Sequence, residues 1–545
     1  MSASTPQETK LSQPTSAVAA AGTAGFPVSF WILNTIEMFE RLAFFTFRVV
    51  APIYIMQADN PGGLHLTAGQ KGTIYAWWAV FQSILPIVTG GIADRYGYKR
   101  TLMFAFALMT GGYLGAAFLR DFVWVTDADP AKALAQSNFY TLFISIMVLA
   151  TGTAFFKPAL QGSLAQNLTK ANSSLGWGIF YMVVNIGGII GPFVSTYLLA
   201  KPPQDSGMSP DELVAFGKAA WRNLLLAAAA FAAFNFLLLA VLKDVPSGAD
   251  KSVSLFTVLE RTIVNFFEPR LLVWILIMSG FWLMMYQLWD LQPNFIADWV
   301  DSGPIAQSLQ SLPQGMKKFL IEHTPHGPQI PQQILLNANA AFIILLMVPI
   351  AWATRKMRTL SAMTIGMITA TIGIIVAGWT MSAWILLFGI LLFSLGEMTT
   401  GPKKNEYLGL IAPPGKKGLY LGYVNIPVGI GVGVGSTFAA YLYGNFGEKA
   451  TLALKYMLEK TPLGAGKQWD GDVKSLESVL SIKRSDAMLR FQEAMNLDYA
   501  AATQLLWDTY HPQYIWLAFA AIGVICTIAL AIFAHMAKRW NDMNA

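Results

Sequence analysis

One long apolar run near the start of the chain holds four charges. From Trp31 to Met56 it reads WILNTIEMFERLAFFTFRVVAPIYIM, with Glu37, Glu40, Arg41 and Arg48 inside it. Spacings of three and four put Glu37, Glu40 and Arg41 on one helical face, and Arg48 lies two turns further along that face. A charge at mid-bilayer depth costs roughly 2.5–3.5 kcal/mol on insertion scales, so charges kept there face a water-filled cavity rather than lipid. Two carboxylates beside one guanidinium leave one excess negative charge. Like charges in a dry site compete to stay ionised, and one glutamate of the pair is expected to bind and release a proton.

Lys157, in the run T-G-T-A-F-F-K-P-A-L, has no opposite charge within its own helix. A buried ammonium needs a carboxylate, and Glu37, Glu40 and Glu397 are the available ones. Arg41 and Lys157 in the first half of the chain and Glu397 in the second would make a dipolar cavity. Its positive wall suits a carboxylate and its negative wall an ammonium, which together describe a zwitterion. Tyr75, Tyr181, Asn185, Trp282, Gln287 and Asn339 have the polar or aromatic character of cavity lining, although each alone also suits helix packing. Asp94 and Arg95 suit a role in locking a loop. Lys403 and Lys404 are expected to snorkel to the membrane surface. The glycine series Gly429 to Gly435 lacks the Lys-Ser/Thr of a phosphate loop and suits close helix packing. His65, His323, His326, His511 and His535 have no metal-ligand spacing, and no nucleophile elbow occurs. Neither an enzyme, a metal nor a cofactor is expected, the proton being the coupling ion.

Apolar spans must position these groups. Of 545 residues, 54% are hydrophobic and 12% charged, against about 25% charged in soluble domains. The net charge of +6 sits mostly in short loops, so nucleic acid is not an expected partner; a lipid bilayer is. The single cysteine, Cys526, excludes a disulfide within the chain. Windows of about 20 apolar residues predict twelve spans: 28–57, 68–93, 101–119, 139–166, 177–200, 220–242, 270–297, 331–354, 361–381, 384–410, 418–443 and 514–537. Arg95, Lys99, Arg100, Lys170, Lys243, Arg355, Lys356, Arg358, Lys416 and Lys417 fall in alternate loops, and Lys538 and Arg539 follow the last span. The positive-inside rule then places both termini in the cytoplasm of a cell-membrane protein. The expected organisation is a tail (1–27), two six-helix bundles (28–242 and 270–537) joined by a linker (243–269), and a second tail (538–545). Connections 298–330 and 444–513 would lie outside. Helical periodicity over Glu448–Glu459 and Lys474–Trp507 predicts surface helices in the second, capping the mouth.

The loop G-G-I-A-D-R-Y-G-Y-K-R between spans 2 and 3 resembles the signature loop of the major facilitator superfamily. A short basic turn, P-I-A-W-A-T-R-K-M-R, repeats it six spans later. Glu37-x-x-Glu40-Arg41 with Arg48 resembles the E-x-x-E-R-F-x-Y-Y-G-x-R stretch of the proton-dependent oligopeptide transporters. Phe155-Phe156-Lys157-Pro158, Phe180-Tyr181 through Asn185-Ile186-Gly187, and Gly396-Glu397 through Pro402, Glu406-Tyr407 and Ala412-Pro413-Pro414 resemble that family's patterns in spans 4, 5 and 10. The resemblance implies an all-α membrane protein of major facilitator fold. It would be a proton-coupled symporter importing di- or tripeptides or related zwitterions by alternating access. Glu37, Glu40, Arg41, Lys157 and Glu397 would couple the proton and gate the inner side, and Arg48 would gate the outer side.

The chain also departs from the family. Its span-1 tyrosine pair is Phe44-Phe45 here, its span-7 Glu-Gln pair is Tyr286-Gln287, and its span-10 Val-Gly pair is Lys403-Lys404. Asp290, one turn beyond Tyr286, is expected to replace the missing glutamate as partner of Arg48. The lost tyrosines and glutamate also fit a carrier of another small substrate, such as an organic acid or modified amino acid. A non-transporting receptor or assembly protein built around residues 444–513 is the remaining alternative. A monomer is expected.

Overall fold

Helix starts are marked by proline and by capping boxes. Thr67 and Gln70 exchange reciprocal side-chain and backbone hydrogen bonds where one helix begins, and Ser209 and Glu212 do so at another. These boxes satisfy amide donors that have no partner in a helix's first turn. The computed structural model describes residues 25–168, 173–199, 207–243, 267–324, 327–411 and 423–539. Most of the expected tails and linker, the Ala412-Pro413-Pro414 triplet, His326, Lys170, Lys416 and Lys417 lie outside the described residues.

The first part of the chain forms α1 (Val28–Arg48), α2 (Ala68–Ile84), α3 (Pro86–Tyr96), α4 (Tyr98–Phe118), α5 (Pro130–Gln166), α6 (Ser173–Leu198) and α7 (Pro210–Val241). The second forms α8 (Pro269–Met285), α9 (Gln292–Trp299), α10 (Gln332–Thr354), α11 (Thr359–Gly378), α12 (Ala383–Ile411) and α13 (Ile426–Phe446). Then come α14 (Lys449–Lys460), α15 (Ala487–Met495), α16 (Tyr499–Tyr510) and α17 (Ile515–Ala537). Among the described residues ten helices are long and apolar enough to cross a membrane, or eleven with α2 and α3 taken as one span bent by 44°. Helix α1 has the length, but Glu37, Glu40, Arg41 and Arg48 keep it out of that count. With α1 the number reaches the expected twelve.

Several spans differ from the sequence reading. Span 2 is not continuous: Pro86 has no amide proton to donate, and the helix bends there. Span 4 starts at Pro130 and span 6 at Pro210, earlier than expected, because polar residues extend both helices beyond the apolar core. Span 7 is α8 followed by one turn, Gln287–Asp290, and then α9. Gly97, with φ +97°, makes the turn between α3 and α4, a conformation unfavourable for a residue with a side chain.

Helices α1 and α4–α7 pack mainly among themselves, as do α8, α10–α13 and α17. The two sets meet where α2 runs along α13 and where α6 meets α10. The glycine series makes the first contact possible. Gly429 and Gly433 turn to Ser83 and Val80 of α2, while Gly431 and Gly435 turn to Ser279 and Leu283 of α8. A Cβ on Gly431 would lie 2.3 Å from the Ser279 carbonyl oxygen. Alternate glycines thus let one helix approach two neighbours, as the sequence predicts.

Residues between α13 and α17 fold into a cap of three main helices, α14–α16, around Met457, Leu476, Phe491 and Leu506. The tract Lys474–Trp507, expected as one helical stretch, is interrupted by left-handed residues Ser481 and Asn496. Arg484 ties this cap to the first half. It pairs with Glu448 at 2.7 Å and donates to the carbonyl oxygens of His65 (2.7 Å) and Leu66 (3.3 Å). Residues 298–330 add a small hairpin, Glu322–Thr324 paired with Gly327–Gln329, that periodicity did not reveal. The cap marks one end of the molecule, the cap end; the opposite one is the tail end.

Candidate functional site

The N-terminal wall is a quartet of charges. Glu37, Glu40 and Arg41 are buried on one face of α1, as the spacing requires. Arg41 grips Glu40 with two parallel hydrogen bonds, Nε to Oε2 at 2.5 Å and Nη2 to Oε1 at 2.6 Å. Such a fork is the strongest geometry open to an Arg–carboxylate pair. Its Nε also lies 3.4 Å from Glu37 Oε1. Lys157 of α5 donates to that same Glu37 oxygen, and Glu37 Oε2 is buried without a hydrogen-bond partner. The excess negative charge expected on α1 alone is therefore cancelled by Lys157, and the quartet is neutral.

Pro158 helps to set Lys157. Proline cannot donate to the carbonyl four residues back, so Ala154 O would be orphaned in the interior of α5. Thr89 of α3 fills that place, donating to Ala154 O at 2.6 Å. The bent span 2 thereby buttresses the lysine's helix.

The facing wall is built by α10, α12 and α6. Glu397 Oε2 accepts from Asn339 Nδ2 at 3.1 Å, and the same amide nitrogen reaches Ser394 Oγ at 2.9 Å. Tyr181 is within the electrostatic reach of Glu397. Asn185 donates to Tyr181 O one turn back along α6, at 2.8 Å. Trp282, Tyr286 and Trp289 recur along α8 and its extension, and Tyr286 meets Arg48 of the other half, so this face looks across the interior. Lys404 sits over the Trp282 ring, 4.4 Å from its centre. It does not snorkel to the surface as expected; its helix directs the long side chain back toward Glu397. Lys403 points elsewhere and pairs with Glu406 at 2.8 Å.

Arg48 and Asp290 do not pair. Arg48 is buried over three aromatic rings, 4.0 Å from the centre of Tyr75, 4.8 Å from Trp78 and 5.6 Å from Tyr286. Its Nη1 has no hydrogen-bond partner. Asp290 turns instead to Lys71 of α2, with Nζ 2.8 Å from Oδ1. Lys71 also donates to the Asp290 main-chain oxygen and, at 3.1 Å, to Asn294 Oδ1, while Ser436 of α13 donates to Asp290. Sequence reasoning missed Lys71. Its only signal was a lysine inside an otherwise apolar span. Gln287 is fully buried against Gly435 of α13 and donates to Leu283 O, so it packs helices rather than lining the interior. Tyr75 is buried beneath Arg48.

Further polar links between the halves gather near Lys71, at the cap end. Gln57 donates to Asp298 at 2.7 Å and Asn294 to Gln57 at 3.1 Å. Gln332 donates to Val49 O at 3.0 Å. Within the second half, Tyr443 donates to Asp298 at 2.5 Å, as does the Lys449 amide at 3.1 Å. Asp94 lies toward the other end, accepting from Tyr98 at 2.7 Å beside Gly97; Arg95 next to it is exposed.

Membrane-length helices in two groups, closed together at one end around opposed charges, have the architecture of a solute carrier. The chain belongs to the Major Facilitator Superfamily: that family's model matches residues 33–302 and 320–454. It is a multi-pass membrane transporter and not an enzyme. Over 179 residues it is 25% identical to the uncharacterized transporter YclF of Bacillus subtilis, covering 32% of each chain. It is also 25% identical over 178 residues to the peptide transporter YePEPT of Yersinia enterocolitica, covering 32% of this chain and 31% of that one. These two matches span about a third of those relatives' length. A longer match, 21% identical over 369 residues, covers 67% of this chain and 75% of the multidrug resistance protein MdtH of Edwardsiella ictaluri. Among solved structures, a POT family transporter in complex with 5-aminolevulinic acid superposes with a TM-score of 0.57 at 14% identity, covering 86% of this chain and 96% of that one. The nucleoside transporter NupG does so with a TM-score of 0.60 at 11% identity, covering 93% and 99%. At these identities the structures establish the fold alone.

Proposed function

We propose that the protein is a divergent member of the proton-dependent oligopeptide transporters, a proton-coupled symporter that imports di- or tripeptides or related small zwitterions. The carrying observation is the Lys157–Glu37 pair within a neutral quartet, set opposite Glu397. A proton on Glu37 removes the counter-charge of Lys157 and leaves the quartet one positive charge in excess. A substrate carboxylate then has a reason to bind there, while its ammonium meets Glu397. Proton and substrate favour each other's binding, which is what symport requires. Arg95, Lys99, Arg100, Arg355, Lys356 and Arg358 at the tail end support a cytoplasmic location for both termini. The cap then lies outside, and the Lys71–Asp290 pair is the outer latch in its closed state.

The test is Ala-Ala uptake into proteoliposomes under an inward proton gradient, comparing the wild type with E37Q and K157A. Gradient-driven uptake lost in both, with counterflow surviving in at least one, supports the assignment. Absence of dipeptide flux under any gradient, in folded protein, sinks it. The length of the match to MdtH favours one second reading, proton-driven export, in which the same gradient would expel a preloaded compound.

A further inference from the structure

Lys404 is the interior charge to which the proposed function gives no task. Other buried or half-buried lysines hold an oxygen: Lys71 holds Asp290, Lys157 holds Glu37 and Lys449 the Tyr499 hydroxyl. Lys403, its neighbour, holds Glu406. Among the described residues Lys404 makes no ion pair within 4.0 Å and no hydrogen bond; its contact is the face of Trp282. An aromatic face supports an ammonium without using its three N–H donors.

Among the described residues the indole N–H of Trp282 is itself buried without an acceptor. An ammonium with no carboxylate in contact thus lies beside a donor without an acceptor, and an anion would answer both. Glu397 attracts Lys404 through space but forms no ion pair with it, because Asn339 holds that carboxylate seven residues earlier on α12, about 10 Å along the helix axis. The lysine leans back along that distance because helical side chains point toward the N-terminus. The interior therefore shows three poles: the quartet with Lys157, the carboxylate of Glu397, and the Lys404–Trp282 pair.

We infer that Lys404 and Trp282 form a second anion subsite, so that the favoured substrates are small peptides or amino-acid-like zwitterions with an additional acidic group. This rests on the proposed function for the first two poles. A backbone carboxylate meets the quartet, an ammonium meets Glu397, and an acidic side chain meets Lys404. An extended residue spans about 3.5 Å, so an acidic side chain next to the amino-terminal residue can bridge the last two poles. Lys404 here determines specificity and takes no part in proton coupling.

The experiment measures inhibition of labelled Ala-Ala uptake by Ala-Glu and by its neutral isostere Ala-Gln. The ratio of the two is read within each variant, so differences in expression cancel. In the wild type Ala-Glu is expected to inhibit at a concentration about fivefold to tenfold lower, the usual worth of a charge-assisted contact in a partly wet site. The preference should survive in K404R, fall to about one in K404Q, and reverse in K404E. Uptake of Ala-Ala with no preference for Ala-Glu, or a preference unchanged in K404Q, overturns the subsite and leaves the peptide reading standing. If no dipeptide moves, the peptide reading fails, and tryptophan fluorescence of the purified protein titrated with succinate judges the subsite. A saturable change lost in K404Q keeps it, and its absence overturns it.

Discussion

Replacing Lys71 with methionine should open the cap end. Lys71 and Asp290 are both buried, with 2.8 Å between Nζ and Oδ1. At an effective dielectric constant of about 20 their attraction is about 6 kcal/mol. Most of that offsets the loss of hydration, so the intact pair adds little net stability. Removing one member is different, because it strands the other charge in a dry site, at about 3–5 kcal/mol. The Ser436 hydroxyl still donates to Asp290 and brings the penalty to the low end, about 3 kcal/mol. In the conformation open at this end, water reaches Asp290, so the penalty falls on the closed state alone. A shift of about 3 kcal/mol changes the ratio of closed to open by about two powers of ten. Spin labels at the exposed residues Phe122 and Met316, in the two halves, report it as F122C and M316C in a C526A background. Electron–electron resonance should show a longer distance appearing in K71M. The double variant K71M/D290N leaves no stranded charge and should return most molecules to the short distance. An unchanged distribution in K71M, or an equal shift in the double variant, would refute the latch.

Asp298 should help to hold the cap end closed, since it accepts from Gln57 of the other half and from Tyr443 and the Lys449 amide. D298A leaves these donors without their acceptor, at about 1–3 kcal/mol. The same label pair should show the closed fraction falling in D298A, and an unchanged fraction would remove Asp298 from the closure. Gly431 and Gly433 should differ on substitution. G431A drives a Cβ against the Ser279 carbonyl and should lower the melting temperature, at about 1–3 kcal/mol for overpacking. G433A makes ordinary contacts, with Val80 Cγ2 at 3.5 Å and the Ala76 carbonyl oxygen at 3.7 Å, and should melt like the wild type.

Features carried by spacing within one helix were legible in the sequence. The common face of Glu37, Glu40 and Arg41 follows from three-and-four spacing, and the role of the span-11 glycines from their residue type and depth. The need of Lys157 for a carboxylate followed from solvation alone. Which carboxylate it takes depends on how α1 lies against α5, and nothing in either segment records that register. The bend in span 2 was announced by Pro86, but an apolar window averages over a single proline.

The errors at the cap end have one physical origin. Asp290 and Lys71 are 219 positions apart, and they meet because α13, thinned by its glycines, lets α2 approach the α8 extension. The sequence points Asp290 at Arg48 because the family it resembles has a glutamate at the Tyr286 position as that arginine's partner, and Asp290 lies one turn beyond. Arg48 is instead held by the faces of Tyr75, Trp78 and Tyr286. Tyr286 stands where the resemblance to the oligopeptide transporters would place a glutamate, and its ring lies against Arg48. Lys404 repeats the arrangement with Trp282. In both cases an aromatic face lets a cation stay buried with no carboxylate in contact. A sequence rule that sends every intramembrane cation to a carboxylate or to the membrane surface misreads such positions, and in this protein those positions are the arginine above the quartet and the lysine below Glu397.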